Sequence, residues 1–325
     1  RVDVDAENGK RWGTQSIMFL EKRGIARGDL NKLKEAGYDS VEAVAYSTRK
    51  ELMAVKGISE QTAEKLQMEA YKLCPMGFTG AAQEEYIRVH TRRIKTGSQV
   101  LDQLLGGGIE ARSITEIFGE SDTGKSQICH SLAVMCQLPD DDLDAGGKCM
   151  WIDTNGSFRP EVIVATAKRF GLDPTSALAN VTVIKCNSSE HQIKLCDAAV
   201  AMMSESRYTL LIVDSATAHF RHEYGGQGTA VKRQLAIGRF MYRLKERAKQ
   251  FGVAVVITNQ IDASETSIID CHVTTRLGLR VGTDGSRVCK VHQSPHLPEG
   301  EAAFYITSAG IGDVRESTVY FVHTV

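Results

Sequence analysis

Residues Gly119-Glu120-Ser121-Asp122-Thr123-Gly124-Lys125-Ser126 fit the spacing GxxxxGK[ST], and their flanks decide what that spacing means. A β-type run, Ile114–Phe118, precedes them, and a helical run, Lys125–Cys136, follows. A chain so built is committed to a strand–loop–helix unit. Its loop glycines let the backbone wrap around a phosphate, and the helix N-terminus adds positive potential. Lys125 is spaced to reach the outer phosphates of a nucleotide, and Ser126 to ligate Mg²⁺.

Two further apolar runs end in polar groups that suit the same ligand. Leu210-Leu211-Ile212-Val213-Asp214 has the pattern of a buried parallel strand. It would deliver Asp214 to the carboxyl edge of a sheet, where open α/β sheets bind ligands and an acid can face Mg²⁺. Val253–Gln260 ends on an amide. At a strand tip beside phosphates, Gln260 can sense the terminal phosphate and pass its state to the next loop; a solvated strand end has the same pattern. Between Ile114 and Asn259, β-rich runs (Cys149–Asp153, Val181–Cys186 and those above) alternate with helical stretches (Pro160–Phe170, His191–Ser204, Lys232–Gln250). That alternation predicts an α/β core with a mainly parallel sheet covered on both faces. Closely spaced strands after Thr274 predict antiparallel additions at one edge.

Residues 14–74 read differently. Short helices dominate, with Asp29 expected to cap Leu30–Lys34, Ser47 or Thr48 to cap the next helix, and Ser59 to cap Glu60–Leu73. Between the last two lies Val55-Lys56-Gly57-Ile58-Ser59, a glycine hairpin whose exposed N–H groups can hold a phosphate or simply turn a packing unit. Cys74-Pro75-Met76-Gly77 breaks the pattern. The chain therefore divides into a terminal segment (1–13), a helical domain (14–74), a linker (75–93) and the α/β core (94–325), with no internal repeat evident. Opening on Arg1, it reads as lacking its native start. Thirty-nine Lys+Arg against 40 Asp+Glu leave a net charge of -1. Bulk attraction for polyanions is excluded, so any nucleic-acid contact needs a local patch. No apolar run approaches the ~18 residues of a membrane span. The eight cysteines form no CxxC pair and read as reduced core thiols.

From residue 14 to about 316 the chain resembles the eukaryotic RecA-like strand-exchange recombinases of the RadA type. The matching text includes Leu33–Gly37, Val55–Ser59, Met76–Thr79, Leu104–Glu110, Gln127–Leu132, Met202–Asp214, Val253–Gln260 and Thr274–Leu277. The resemblance implies a RecA-like P-loop ATPase core behind a helix-hairpin-helix domain. The implied activity is ATP- and Mg²⁺-dependent filament formation on single-stranded DNA, homologous pairing with double-stranded DNA, and double-strand break repair in the nucleus with mediator proteins. Lys125, the residue at Asn155 and Gln260 become catalytic. Gly119 to Ser126 and Pro298 bind nucleotide, and Ser126 and Asp214 hold the metal. Lys56 and Gly57 of the hairpin, with Arg221, Tyr224, Gln227, Arg233 and Arg239 of a first DNA loop, face DNA. Phe78-Thr79-Gly80-Ala81 matches a Phe-x-x-Ala anchor that docks into a neighbouring copy. Ala201 and Met203 belong to the receiving pocket.

The chain departs from that pattern in several places. Asn155 stands where the resemblance calls for a water-polarising glutamate. An amide orients a water but takes no proton from it, so slow hydrolysis is expected. Gln227 replaces an arginine of the first DNA loop and Val162 an arginine on the adenine side, and a nucleotide-sensing histidine is shifted, with Cys271 in its place and His272 beside it. The stretch between Gln260 and Thr274 is much shorter than the second DNA loop implied. An alternative reading is a non-exchanging paralogue or mediator that binds ATP and partner recombinases.

Overall fold

The elements follow from local pattern and capping. A computed structural model describes residues 16–38, 40–74, 81–139, 146–226, 228–260 and 266–313. A 3₁₀ helix (Ile17–Arg23) leads into α1 (Arg27–Glu35), α2 (Val41–Tyr46), α3 (Arg49–Ala54) and α4 (Glu60–Leu73). Ser40, Thr48 and Ser59 each accept a backbone N–H at the start of α2, α3 and α4, and Thr48 completes a capping box with Glu51. Asp29 is not a cap. The helix begins two residues earlier, behind the left-handed Gly24, and Asp29 lies in its first turn paired with Lys32 at 2.8 Å.

The helical unit contains a repeat that the sequence reading missed. Gly24-Ile25 and Lys32-Leu33 recur as Gly57-Ile58 and Lys65-Leu66, so each half has a left-handed glycine turn, a buried isoleucine and a buried leucine. The halves exchange lysines: Lys65 Nζ donates to the Gly24 carbonyl at 2.7 Å, and Lys32 Nζ to the Gly57 carbonyl at 3.1 Å. Only four positions in each half carry the repeat across otherwise divergent text, which is why it escapes a reading by composition.

A helix, α5 (Ala81–Val89), occupies much of the span read as linker. A two-stranded ribbon, β1 (Arg93–Ile94) with β2 (Ile109–Glu110), brackets α6 (Gln99–Leu104). The core then runs β3 (Ile114–Gly119), α7 (Lys125–Met135), β4 (Lys148–Asp153), α8 (Pro160–Arg169), α9 (Pro174–Ala179), β5 (Val181–Lys185) and α10 (Ser189–Glu205). It continues with β6 (Tyr208–Asp214), α11 (Ala218–Glu223), α12 (Ala230–Phe251), β7 (Ala254–Asn259), α13 (Thr266–Asp270), β8 (Thr275–Val281), β9 (Arg287–Gln293), β10 (Glu301–Thr307) and β11 (Gly310–Gly312). Among the described residues the large sheet has the order β11-β10-β9-β8-β3-β7-β6-β4-β5. The six strands from β8 to β5 are parallel, and β9 to β11 add antiparallel at one edge, as the strand spacing predicts.

Strand alternation sorts the core into two layers. Cys149, Trp151, Leu210, Ile212, Ala254 and Val256 face α7 and α8. Met150, Ile152, Leu211, Val213, Val255 and Ile257 face α10 and α12. At about 1.5–3 kcal/mol for each fully buried large aliphatic or aromatic side chain, these layers dominate the favourable side of folding. The same alternation decides which face each polar residue at the strand ends must occupy.

Candidate nucleotide site and DNA-facing edge

By period two, Asp214 follows Ile212 onto the α7 face, and Ser126 lies in the first turn of that helix. Ser126 Oγ donates to Asp214 Oδ2 at 2.7 Å. The carboxylate is 3% exposed, and burying it unpaired would cost several kcal/mol. Two more hydroxyls complete its shell: Ser157 Oγ at 2.6 Å and Thr258 Oγ1 at 2.5 Å.

The loop from Gly119 to Gly124 is shaped by its glycines. A Cβ on Gly119 would sit 2.5 Å from the Leu279 carbonyl oxygen and 2.9 Å from Thr123 Oγ1, so no side chain fits. Gly124 starts α7 at φ +99° with no side-chain cap, which leaves the helix N–H donors to an anion. Lys125 Nζ folds over the loop and donates to the carbonyls of Gly119 at 2.9 Å and Glu120 at 2.5 Å. Burial lowers the Lys125 pKa, and nearby Asp214 opposes that. Glu120, Ser121 and Asp122 form the exposed rim, while Thr123 is buried. A lysine over a glycine loop, a serine and an acid in contact, and open helix donors suit a nucleotide triphosphate with Mg²⁺, which takes one or two protein oxygens and leaves the rest to phosphate and water. Among the described residues, no cluster of three or more His, Cys, Asp or Glu forms a separate metal cage.

The Asn155 loop is pinned to this centre. Thr154 N donates to the Asp214 carbonyl at 3.0 Å. Thr154 Oγ1 donates to the Ser215 carbonyl at 2.9 Å and accepts from Ser215 N at 2.7 Å. Asp153, in register with Asp214 on the adjacent strand, accepts from Asn155 N, Ser157 N and Phe158 N at 3.0–3.3 Å. Asn155 itself is exposed. His130, one turn into α7, joins the two loops. Its Nε2 accepts from Arg159 N at 2.8 Å, which places the proton on Nδ1, donated to the Ser126 carbonyl at 2.6 Å. Burial lowers its pKa. Asp153, Ser157, His130 and Thr258 were absent from the expected site. Sequence alone offers no signal for them beyond their closeness to motif residues.

At the same edge, Arg221 Nη2 donates to Gln260 Oε1 at 3.4 Å, which joins the loop expected to face DNA to the amide that follows β7. Tyr224 is half-buried against the α12 layer, and Arg233 lies in the first turn of α12. Arg239 lines a cleft of about 1370 Å³ between α12 and the helical unit, together with Tyr242 and Arg243. Lys56 and Gly57 are exposed at the second hairpin. Phe78 and Gln227 lie outside the described residues, and Ala81 is the exposed first residue of α5. The two expected pocket residues on α10 part company: Ala201 lines the cleft, whereas Met203 is 7% exposed in the core. Two residues apart on a helix, they point in nearly opposite directions. Pro298 is exposed in the β9–β10 connection. The Gly124 neighbour Ile306 lies near the far end of β10, so the chain does not bring its own Pro298 to the phosphate loop.

A parallel sheet carrying a phosphate loop on a central strand, with a carboxylate two strands away that accepts a hydrogen bond from the serine following the loop, defines a RecA-like P-loop ATPase core. The comparisons with known proteins narrow this. The Rad51 family model matches residues 87–314, and a model of the SAM-like helix-hairpin-helix tandem matches residues 23–72, in accord with the repeat described above. The chain is 48% identical over 318 residues to the DNA repair protein rhp51 of Schizosaccharomyces pombe, spanning 94% of this chain and 87% of that protein. It is 48% identical to the DNA repair protein RAD51 of Saccharomyces cerevisiae, spanning 92% of this chain and 79% of the other. With the DNA repair protein Rad51 homolog of Drosophila melanogaster the identity is 44%, over 97% and 98%. The chain belongs to the Rad51 family, the eukaryotic RecA-like recombinases of DNA repair and homologous recombination. That family is a DNA-dependent ATPase that uses ATP and Mg²⁺, binds DNA and forms filaments.

Proposed function

We propose that this chain polymerises on single-stranded DNA with ATP and Mg²⁺, pairs that strand with a homologous duplex, and hydrolyses ATP slowly. The observation that carries the reading is the Arg221–Gln260 hydrogen bond, which lies at the sheet edge that also holds the Ser126–Asp214 pair. A DNA-facing cation and a phosphate-sensing amide in contact give each ligand a route to the other. Bound Mg²⁺ supplies charge neutralisation on the outer phosphates. Lys125 and the open donors of α7 hold the phosphates, and Ser126 with Asp214 holds the metal. Arg221 and Arg233 contact the DNA backbone with Tyr224 as a flat face beside them. The helical unit takes duplex phosphates at its hairpins, Lys56 and Gly57 foremost, with Lys22, Arg23 and Gly24 in the repeat-related position. Phe78 and Ala81 dock into the next copy of the chain. Asn155 orients the attacking water without accepting its proton. A repair recombinase acts in the nucleus with mediators that load it.

Electron microscopy with ATP, Mg²⁺ and single-stranded DNA tests this. Regular helical filaments are expected, and Phe78→Glu should abolish them by placing a charge in an apolar pocket. Small discrete complexes from the parent chain would instead support a non-exchanging paralogue, the reading that Asn155 favours.

A further inference from the structure

Glu116 is a carboxylate in the middle of the central strand β3, and it is fully buried. A well-packed apolar residue there would serve stability as well or better, because a buried ion pair rarely repays its desolvation. Its two oxygens serve different elements. Oε2 accepts from Arg276 Nε at 2.6 Å, its register partner on β8, and Oε1 accepts from Asn259 Nδ2 at 3.2 Å, the last residue of β7. Beyond Arg276, Nη1 pairs with Asp270 at 2.6 Å, at the end of α13. Beyond Asn259, Oδ1 accepts from Thr217 Oγ1 at 2.6 Å. The guanidinium is held over the Phe118 ring at 4.8 Å, and Phe118 meets His292 at 5.0 Å. Gly278 makes room for that stack, since a Cβ there would come within 2.4 Å of His292 Nε2.

Strand alternation places this chain of contacts on the α12 side of the sheet, back to back with the nucleotide centre on the α7 side. Residues 258 and 259 are the hinge between the two. Thr258 points to Asp214 at 2.5 Å and its neighbour Asn259 points to Glu116. The Thr258 carbonyl also accepts from Ala216 N at 2.9 Å, one residue before Thr217. The tip of β7 is therefore gripped from both faces, immediately before Gln260.

We propose that Asp270, Arg276 and Glu116 are positioning residues that make DNA binding depend on nucleotide. They tie α13, through Asn259, to the strand tip whose other face holds Asp214. A change at the nucleotide centre that shifts Thr258 shifts Asn259 as well, and the buried pair passes the displacement to Arg276 and Asp270. This inference rests on the reading of the chain as an ATP-gated DNA-binding protein.

Its test is the affinity of the full chain for a labelled single-stranded oligonucleotide, by fluorescence anisotropy, with and without ATP and Mg²⁺. Coupling between sites is commonly about 5- to 150-fold, so the parent should bind at least about fivefold tighter with ATP. In Asp270→Asn and Arg276→Lys that tightening should fall to less than about twofold, with the nucleotide-free DNA affinity and the affinity for a fluorescent ATP analogue held within about twofold. A purely structural role would lower all three affinities and the melting temperature together. The double variant should behave like either single one, because both act through one chain of contacts. The Asp270 side chain is 32% exposed, so Asp270→Asn decides the matter even where Arg276→Lys folds poorly. If folded Asp270→Asn keeps the parent's ATP-dependent tightening, the inference is overturned. If the parent itself shows no tightening, the underlying reading of the chain is what fails.

Discussion

Asn155→Glu should accelerate ATP hydrolysis, and the structure sets the size of the effect. The backbone anchors of the loop do not involve the Asn155 side chain. Asn155 N reaches Asp153 at 3.3 Å, and Thr154 holds Asp214 and Ser215. The side chain is exposed, so the longer glutamate enters without repacking. General-base assistance is typically worth 10²–10⁴-fold, or about 2.7–5.4 kcal/mol of barrier. Against it stands repulsion from the acids at 153 and 214, which at an exposed position costs on the order of 1 kcal/mol and is partly offset by Lys125. Imperfect aim of a carboxylate not selected for this loop takes a further share. A gain of at least about tenfold in DNA-stimulated turnover, about 1.4 kcal/mol, should survive both losses, with ATP affinity within about threefold of the parent. Steady-state phosphate release with saturating DNA measures the first quantity, and fluorescent nucleotide titration the second. Turnover no faster than the parent's, with ATP affinity intact, would show that proton transfer from water does not limit the rate here. The role given to position 155 would then be wrong.

Two further outcomes follow from the same geometry. Lys125→Ala removes the cation folded over the loop and should weaken ATP binding by at least about tenfold, abolishing ATP-dependent DNA binding; an unchanged dissociation constant would remove Lys125 from the site. His130 is held neutral by burial, with a pKa below its ordinary 6.5. The unfolded chain therefore takes up this proton first. The stability His130 contributes is fully present above 6.5 and is lost as pH falls through the folded-state value. Thermal melts between pH 7.5 and 5.5 should show a fall in the parent that is shallower in His130→Gln. The slope that remains belongs in part to His292, also lowered by burial. Parallel pH profiles in the two proteins would refute the assignment of the proton.

The parts of this molecule legible in its sequence are those decided by neighbours along the chain. The glycine loop between Ile114–Gly119 and α7, the carboxylate ending β6 and the capping hydroxyls Thr48 and Ser59 depend on residues within a few positions, and all stand where local pattern puts them. The antiparallel edge was legible for the same reason, since β8, β9 and β10 are separated by connections too short for a crossover helix. The short helices α9, α11 and α13 were not. Each has five or six residues, too few for a helical period to emerge, and tertiary contacts fix them. The shell of Asp214 was illegible for a different reason. Ser126 is paired with Asp214 by two motifs that suit one metal ion, but Ser157 and Thr258 lie 57 and 44 residues away and belong to no motif, so only the sheet order brings them to it.

That sheet order explains why Asp214, the proposed metal ligand, also reaches a strand tip. β7 lies between β3 and β6, so the strand that carries Gln260 separates the phosphate loop from Asp214 and touches both. Thr258 therefore bonds to Asp214 on one face while Asn259 bonds to Glu116 on the other. Had β6 paired directly with β3, Asp214 could still have met Ser126, but Gln260 would not extend from a strand gripped on both faces between them. Local motifs define a nucleotide site in many chains. The insertion of β7 is what joins this one to Arg221 and the residues proposed to face DNA.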